Sequence, residues 1–260
     1  MLRREAIPAL ALGLCVLASA CGSSNQSFEE PRPPKGEPVL PDLMPSPPID
    51  VQMTNRAGRW HISFSSILVN VGPGDFVLRA KREGEDWHVE QLIPYSTSGS
   101  AVMPTRTSLV WGGDGHNHWH VKRVAINRLV RLDRKGRVDI RSARIDSKIG
   151  FCFYDHTRIL KSGPEKAVYP HETCGKEDDT VIGMGLSSGW NDTYQFVLPG
   201  QSIDVSGLSD GKYRLLAEAD ESAWFREVTR DNNVTWVDFE LTTKNELRFA
   251  EVVDVGPEPA

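Results

Sequence analysis

Three histidines stand at alternate positions in residues 115–120, which read Gly-His-Asn-His-Trp-His. They are His116, His118 and His120, three of the seven histidines in the whole chain. In a β-strand, side chains at positions i, i+2 and i+4 point to one face of the sheet, about 7 Å apart. Imidazole is a ligand that suits copper, zinc, iron and nickel. The spacing therefore predicts a transition-metal site; the alternative is a solvated His-rich strand or loop without a specific ligand.

A metal ion held by three histidines keeps coordination positions open for water, oxygen or a substrate, as catalytic sites do. Ligand type alone does not separate copper from zinc, although copper is the more plausible redox metal outside the cytoplasm. A cupin-like site would need a glutamate soon after the histidines, but Val121, Lys122 and Arg123 follow instead. A zinc site like that of carbonic anhydrase would add one distant histidine, for which His156 or His171 could serve.

The N-terminal residues predict export. Arg3 and Arg4 precede an apolar stretch over residues 7–20 that is too short to cross a bilayer as a stable helix. We therefore expect residues 1–20 to be a signal peptide. The sequence Leu-Ala-Ser-Ala-Cys ending at Cys21 resembles a bacterial lipobox, which predicts acylation of Cys21. Ordinary cleavage after Ala20, without a lipid, is the alternative. The expected location is the outer face of the membrane or the extracellular space, with membrane contact only through this anchor.

The next thirty residues differ in composition from the rest of the chain. Residues 21–50 contain eight prolines and few large apolar side chains, which is typical of an extended tether. Residues 51–260 are then long enough for one folded domain with a sizeable core. After removal of the signal peptide the chain has 28 basic and 34 acidic side chains. The absence of a basic tract argues against a nucleic-acid partner, and the weakly acidic balance slightly favours cationic substrates.

Two of the four cysteines, Cys152 and Cys174, belong to the predicted domain. An even pair in an exported protein predicts one disulfide bond. Closing that loop stabilises a fold by roughly 3 kcal/mol if the bond is unstrained.

The elements that must hold these residues are predicted to be strands. Alternation of apolar side chains is clear at Trp60, Ile62 and Phe64, and its phase shifts at residues 65–66, which predicts a bulge. A hairpin is predicted over residues 131–141, and further strands over residues 149–154, 194–198, 213–219, 234–241 and 247–253. The expected fold is all-β, an antiparallel β-sandwich core with long functional loops at residues 93–106 and 156–190.

Several further segments have a recognisable order. Residues 146–155 read Asp-Ser-Lys-Ile-Gly-Phe-Cys-Phe-Tyr-Asp, and residues 183–194 read Gly-Met-Gly-Leu-Ser-Ser-Gly-Trp-Asn-Asp-Thr-Tyr. Three more blocks follow at residues 198–205, 210–215 and 227–233. Together with the histidine triplet, this ordered set resembles the lysyl oxidase family over roughly residues 105–240. Members of that family are copper amine oxidases.

The resemblance implies a role for particular residues. His116, His118 and His120 match the copper ligands. Lys148 and Tyr194 match the lysine and tyrosine that combine into the lysine tyrosylquinone cofactor, made from the protein's own side chains with copper and oxygen. Residues 51–260 would then be the catalytic β domain.

The chemistry implied is oxidation of peptidyl lysine or another primary amine by molecular oxygen, which gives an aldehyde, hydrogen peroxide and ammonia. A carboxylate would serve as the base, and Asp192 and Asp155 are the candidates. Animal members have several disulfides where this chain has one possible pair, so collagen or elastin is not an expected substrate. The alternatives are a non-enzymatic copper-binding surface lipoprotein and a zinc hydrolase or lyase that uses the histidine triplet.

Overall fold

Antiparallel β-strands make up nearly all of the regular structure. The computed structural model describes residues 31–112, 117–145 and 150–259. The strands of these residues are, in chain order, β1 (Leu43–Pro45), β2 (Ile49–Arg56), β3 (Arg59–Asn70), β4 (Phe76–Glu83), β5 (Asp86–Pro94), β6 (Ser100–Pro104), β7 (Leu109–Trp111), β8 (Trp119–Lys122), β9 (Ala125–Leu132), β10 (Val138–Ile145), β11 (Gly150–Phe151), β12 (Thr157–Arg158), β13 (Val181–Leu186), β14 (Trp190–Tyr194), β15 (Ser202–Asp204), β16 (Gly211–Ala219), β17 (Val234–Lys244) and β18 (Leu247–Val255). A 3₁₀ turn, His171–Cys174, is the helical element among them.

These strands form four antiparallel sheets. In the first, β1, β3, β14 and β12 are neighbours in that order, while β2 and β15 pair with the other half of β3. The second sheet has the order β10-β9-β16-β17-β18. The third has the order β11-β8-β7, and the fourth β13-β4-β5-β6. The prediction of an all-β, antiparallel, sandwich-like fold is confirmed.

The buried side chains form two hydrophobic clusters. The smaller cluster joins the first half of β3 to the second sheet and includes Phe64 and Phe239. The larger cluster lies among the other three sheets and includes Phe76, Phe153 and Tyr194. The Phe76 and Phe153 rings meet edge to face with centroids 4.9 Å apart. Burying a Phe side chain contributes about 1.5–3 kcal/mol to the stability of a fold, so this larger cluster stabilises the part of the fold that contains Tyr194.

Strand β3 is long because it serves two halves of the first sheet. Its first half pairs with β2 and β15, and its second half pairs with β1 and β14. The change of partners occurs where Ser65 pairs with Ile49 and Ser66 pairs with Tyr194. The bulge predicted at residues 65–66 lies instead in β2, where the register shifts between Ile49 and Gln52. The positive φ of Asp50, 54°, is the backbone feature that goes with this shift.

The hairpin predicted over residues 131–141 is present, with β9 and β10 joined by a turn in which the Asp133 carboxylate accepts the backbone N–H groups of Lys135 and Arg137. Two predictions need correction. The strand expected to begin at Tyr194 ends there, because residues 191–194 pair with β3. The segments expected to be long loops contain β6 and, in the second case, β12, β13 and the 3₁₀ turn.

The end of the Pro-rich segment belongs to the folded part. Leu43 and Met44 are buried in β1, which pairs with β3, and the backbone N–H of Leu43 donates to the Glu227 carboxylate at 2.7 Å. The packed domain therefore begins before residue 51. The predicted signal peptide and the lipidation site Cys21 lie outside the described residues. Over the described ranges, no helix has the length and apolarity needed to cross a bilayer.

Candidate functional site

The two described members of the histidine triplet lie together. His120 is in β8, and His118 comes just before that strand, with its carbonyl accepting the Gly112 N–H at 3.0 Å. Because the two residues are two positions apart, their side chains share one face. Their Nε2 atoms are 2.8 Å apart and their ring centroids 4.6 Å apart. His120 is buried and His118 is half-buried. His116 lies outside the described residues.

Tyr194 stands next to this pair at the end of β14. Its ring centroid is 5.9 Å from that of His120 and 4.6 Å from that of Phe151. The side chain is almost fully buried, and its hydroxyl oxygen accepts the backbone N–H of Cys152 at 2.8 Å. Burial raises the pKa of Tyr194 well above its usual range, and the neighbouring Asp192 carboxyl acts in the same direction. The ring is therefore held as a neutral phenol beside two imidazoles.

Lys148 lies outside the described residues, but the strand that follows it in sequence is part of the site. Gly150 and Phe151 form β11, which pairs with β8 opposite Lys122 and Val121. A Cβ atom at position 150 would come within 3.0 Å of the His120 Cβ. Such a distance is at the tight limit of side-chain packing. Glycine at this position thus lets β11 run close against the histidine strand β8.

A disulfide fixes the opposite side of the site. Cys152 and Cys174 are bonded, with their Cα atoms 5.6 Å apart, as the cysteine count predicted. Cys174 ends the 3₁₀ turn that begins at His171. The His171 ring lies 4.9 Å from the His118 ring and 5.1 Å from the Tyr154 ring, centroid to centroid. The disulfide therefore ties the strand that contacts Tyr194 to the turn that carries His171.

Residues from four segments of the chain line one open cavity of about 350 Å³. The residues that line it are Asn117, His118, Tyr154, His171, Thr193, Tyr194 and Leu198. This volume is in the range of cavities that take small molecules. The cavity combines imidazole and phenol groups with an apolar wall, so a ligand with an apolar body and one polar end fits its lining.

Of the two carboxylates proposed as a base, Asp155 is fully engaged by the protein. Its oxygens accept the backbone N–H groups of Val168, Tyr169 and Ser187 and the hydroxyl of Ser187, at 2.7–3.2 Å. These bonds pin the loop that leads to His171. A buried carboxylate with so many donors serves the structure rather than a reaction. Asp155 is therefore a positioning residue.

Asp192 has the opposite environment. It is completely buried on β14, two positions before Tyr194 and hence on the same face. Neither carboxyl oxygen forms a hydrogen bond of normal geometry within the described residues, although the Thr193 backbone N–H is near enough to favour the ionised form slightly. Burial raises the pKa of Asp192 well above its usual range, and Asp155 acts in the same direction. The protonated form of Asp192 is thus favoured over what an exposed carboxyl would show, and the group lies next to Tyr194.

Of the three remaining sequence blocks, the block 198–205 contributes Leu198 to the cavity lining, and the other two contribute no lining residue. In the block 227–233, Glu227 accepts the Leu43 N–H and the Asn233 side-chain amide, which anchors β1. Burial raises the pKa of Glu227 to about 7. This block supports the fold that holds the site and does not contribute to the cavity lining.

The sequence alone did not decide between His171 and His156, and it did not point to Tyr154. It named His171 and His156 as equal candidates for a distant histidine, whereas only His171 is among the cavity residues. It did not single out Tyr154, whose signal would have been its position two residues after Cys152. Within the described residues, no three His, Cys, Asp or Glu side chains already form a group able to hold a metal ion. No protein family model matches the chain, and no curated protein is significantly similar to it in sequence.

Proposed function

We propose that this protein is an exported copper-dependent amine oxidase of the lysyl oxidase type. It would convert a primary amine, oxygen and water into an aldehyde, ammonia and hydrogen peroxide. Its cofactor would be a lysine tyrosylquinone formed from Lys148 and Tyr194. The observation that carries this proposal is the pair of imidazoles, His118 and His120, beside the buried Tyr194 ring at a cavity wall.

The chemistry of the histidine pair supports a copper site. The Nε2 atoms of His118 and His120 face each other at 2.8 Å, a hydrogen-bond distance, so an ion bound between them would replace that contact. Imidazole suits copper as well as zinc, but zinc has no redox chemistry, and the proposed oxidation needs a redox metal. His116 is proposed as the third ligand of the alternating set.

When bound, copper would provide, together with molecular oxygen, the oxidising power needed to convert the Tyr194 ring to a quinone. That quinone would offer an electrophilic carbonyl to a primary amine. The chain holds Tyr194 for this chemistry by the Cys152 N–H on its oxygen and by the flanking ring of Phe151. Lys148 is four residues before Cys152 in sequence, on the segment that leads into β11. Strand β11 itself approaches the histidine strand closely, because position 150 is glycine.

Asp192 is the better candidate for the general base. Its oxygens are not committed to protein donors among the described residues, in contrast to those of Asp155. A carboxyl group whose pKa is raised by burial lies nearer to neutral pH and so transfers protons more effectively. Because Asp192 does not line the cavity, a substrate proton would reach it through Tyr154, a cavity phenol that Asp192 influences electrostatically.

The lining of the cavity supports a primary amine with an apolar body as the substrate. Leu198 and the ring of Tyr154 offer apolar surface, and His118 and Tyr194 are among the polar residues of the same lining. A lysine side chain has this form, with an aliphatic stem and one terminal amine. Peptidyl lysine or a small aliphatic amine is therefore proposed over a large polycation.

The test uses the protein matured aerobically with one equivalent of copper. We expect a coloured adduct with phenylhydrazine and release of peroxide on addition of butylamine or a lysine-containing peptide. Tyr194→Phe should remove the adduct, while the matched variant Tyr154→Phe, at the second tyrosine of the cavity, should still form it. Copper binding without adduct or peroxide would instead favour a non-enzymatic copper-binding lipoprotein. Tight zinc binding with hydrolytic activity would favour the zinc enzyme.

A further inference from the structure

His171 occupies a place that the alternating triplet does not explain. It lies far from His118 in sequence, yet the two rings meet edge to face with centroids 4.9 Å apart, at an interplanar angle of 89°. Both side chains line the same cavity. On its other side, His171 contacts the ring of Tyr154. The His118 ring thus contacts both the His120 ring and the His171 ring.

The backbone around His171 is fixed from both directions. Before it, the Asp155 carboxylate accepts the N–H of Tyr169, and the Asp155 N–H donates to the Tyr169 carbonyl at 2.8 Å. After it, the disulfide fixes Cys174, and the Trp119 indole N–H donates to the Lys176 carbonyl at 2.7 Å. Such support leaves the backbone little freedom while the exposed side chain can still rotate.

We propose that His171 is a further imidazole ligand of the metal ion held by His118 and His120. The inference rests on the metal site of the proposed function but not on the quinone. The donor atoms of the three described histidines do not yet gather at one point, so the His171 ring must turn about its side-chain bonds when the metal binds. Because this side chain is exposed, solvent borders the ring and leaves room for that rotation.

A ligand from the 3₁₀ turn has a consequence for the coordination shell. Three imidazoles from one strand segment would constrain the metal from one side, whereas His171 reaches it from across the cavity. The additional nitrogen leaves fewer positions open for oxygen or water. It also makes metal affinity depend on the Cys152–Cys174 disulfide, since that bond fixes the end of the turn.

His156 provides a matched control. It is an exposed histidine of the same connecting segment and also contacts Tyr154, with ring centroids 5.9 Å apart. Its Nδ1 is within 3.0 Å of the Thr157 hydroxyl, and it does not line the cavity. Replacing either histidine removes one exposed imidazole near Tyr154, but only replacement of His171 should affect the metal.

The experiment measures Cu(II) binding to the wild type, His171→Ala, His171→Asn and His156→Ala. Affinity is obtained by competition with a chelator, and the number of bound imidazoles by electron paramagnetic resonance of the one-copper forms. Loss of a residue that only hydrogen-bonds to a metal ligand typically costs about 10–100-fold in metal affinity. Loss of a direct ligand should therefore cost at least about tenfold. We expect both His171 variants to lose this factor and one imidazole signal, and His156→Ala to match the wild type. Thermal unfolding of each variant verifies that it is folded.

Unchanged affinity and imidazole count in the His171 variants would overturn the inference, as would an equal loss in His156→Ala. Both outcomes leave the proposed function standing, because amine oxidation can proceed with the alternating set alone. The reverse outcome is also distinguishable: His171-dependent copper binding in a wild type that forms no phenylhydrazine adduct supports the ligand and contradicts the oxidase. A wild type that binds no Cu(II) contradicts both.

Discussion

Replacement of Asp192 by asparagine should change how the stability of the protein depends on pH. The folded-state pKa of Asp192 is raised because the carboxyl is fully buried. The group therefore stabilises the fold most below its unfolded-state pKa of about 3.9, and this contribution is lost as the pH rises towards the folded-state pKa. An asparagine side chain cannot ionise, so the Asp192→Asn variant lacks this loss.

The size of the effect follows from proton linkage. One extra proton bound by the folded state lowers the free energy of unfolding by about 1.4 kcal/mol for each pH unit. Between pH 5 and pH 7, the variant should therefore gain up to about 2.7 kcal/mol relative to the wild type. Glu227, whose pKa is raised to about 7 by burial, adds a similar slope to both proteins and cancels in the comparison. The absolute cost of burying an amide at position 192 cancels as well, since it does not depend on pH.

The assay is urea unfolding of the metal-free protein at pH 5, 6 and 7, followed by tryptophan fluorescence. Glu227→Gln serves as a positive control for the linkage, because the folded-state pKa of Glu227 is raised to about 7 and its removal should likewise flatten the profile between pH 5 and 7. Parallel pH profiles for the wild type and Asp192→Asn would refute the reasoning. Asp192 would then be ionised in the fold, and its assignment as a proton-holding group beside Tyr194 would fail.

Three other outcomes are expected. Tyr194→Phe removes the acceptor of the Cys152 N–H and leaves that buried donor without its partner, so the free energy of unfolding should fall by about 1–3 kcal/mol in urea titrations; an unchanged value would contradict the hydrogen bond. Gly150→Val should press on His120 and lower Cu(II) affinity, measured by competition, whereas Gly136→Ala in a distant turn should not. Reduction of the Cys152–Cys174 bond, which closes a loop with a sequence separation of 22, should cost roughly 3 kcal/mol of stability; equal stability of the oxidised and reduced forms would count against it.

Much of the fold could be predicted from the sequence because its signals are local. The turn at residues 133–137 carries its own hydrogen bonds, and the alternation of Trp60, Ile62 and Phe64 marks β3. The predictions that were wrong concern strands whose bounds depend on pairing with segments distant in sequence. The end of β14 is fixed by pairing with β3, and the short strands β6 and β13 exist only because β5 and β4 pair with them.

The same distinction applies to the site. The common face of His118 and His120 follows from the two-residue period of a strand, and the disulfide follows from the number of cysteines. The position of His171 depends on the disulfide and on the Asp155 hydrogen bonds, which join segments distant in sequence. The state of Asp192 depends on the absence of nearby donors among the described residues, which no sequence pattern encodes.

The measurement that tests the account most directly is peptide mapping of the protein matured aerobically with copper. Digestion and mass spectrometry should yield one fragment in which the peptide containing Lys148 is covalently joined to the peptide containing Tyr194, and the copper-free protein should yield the two separately. Recovery of both peptides unmodified and unlinked from protein that contains a full equivalent of copper would contradict the proposal that this chain builds its own quinone.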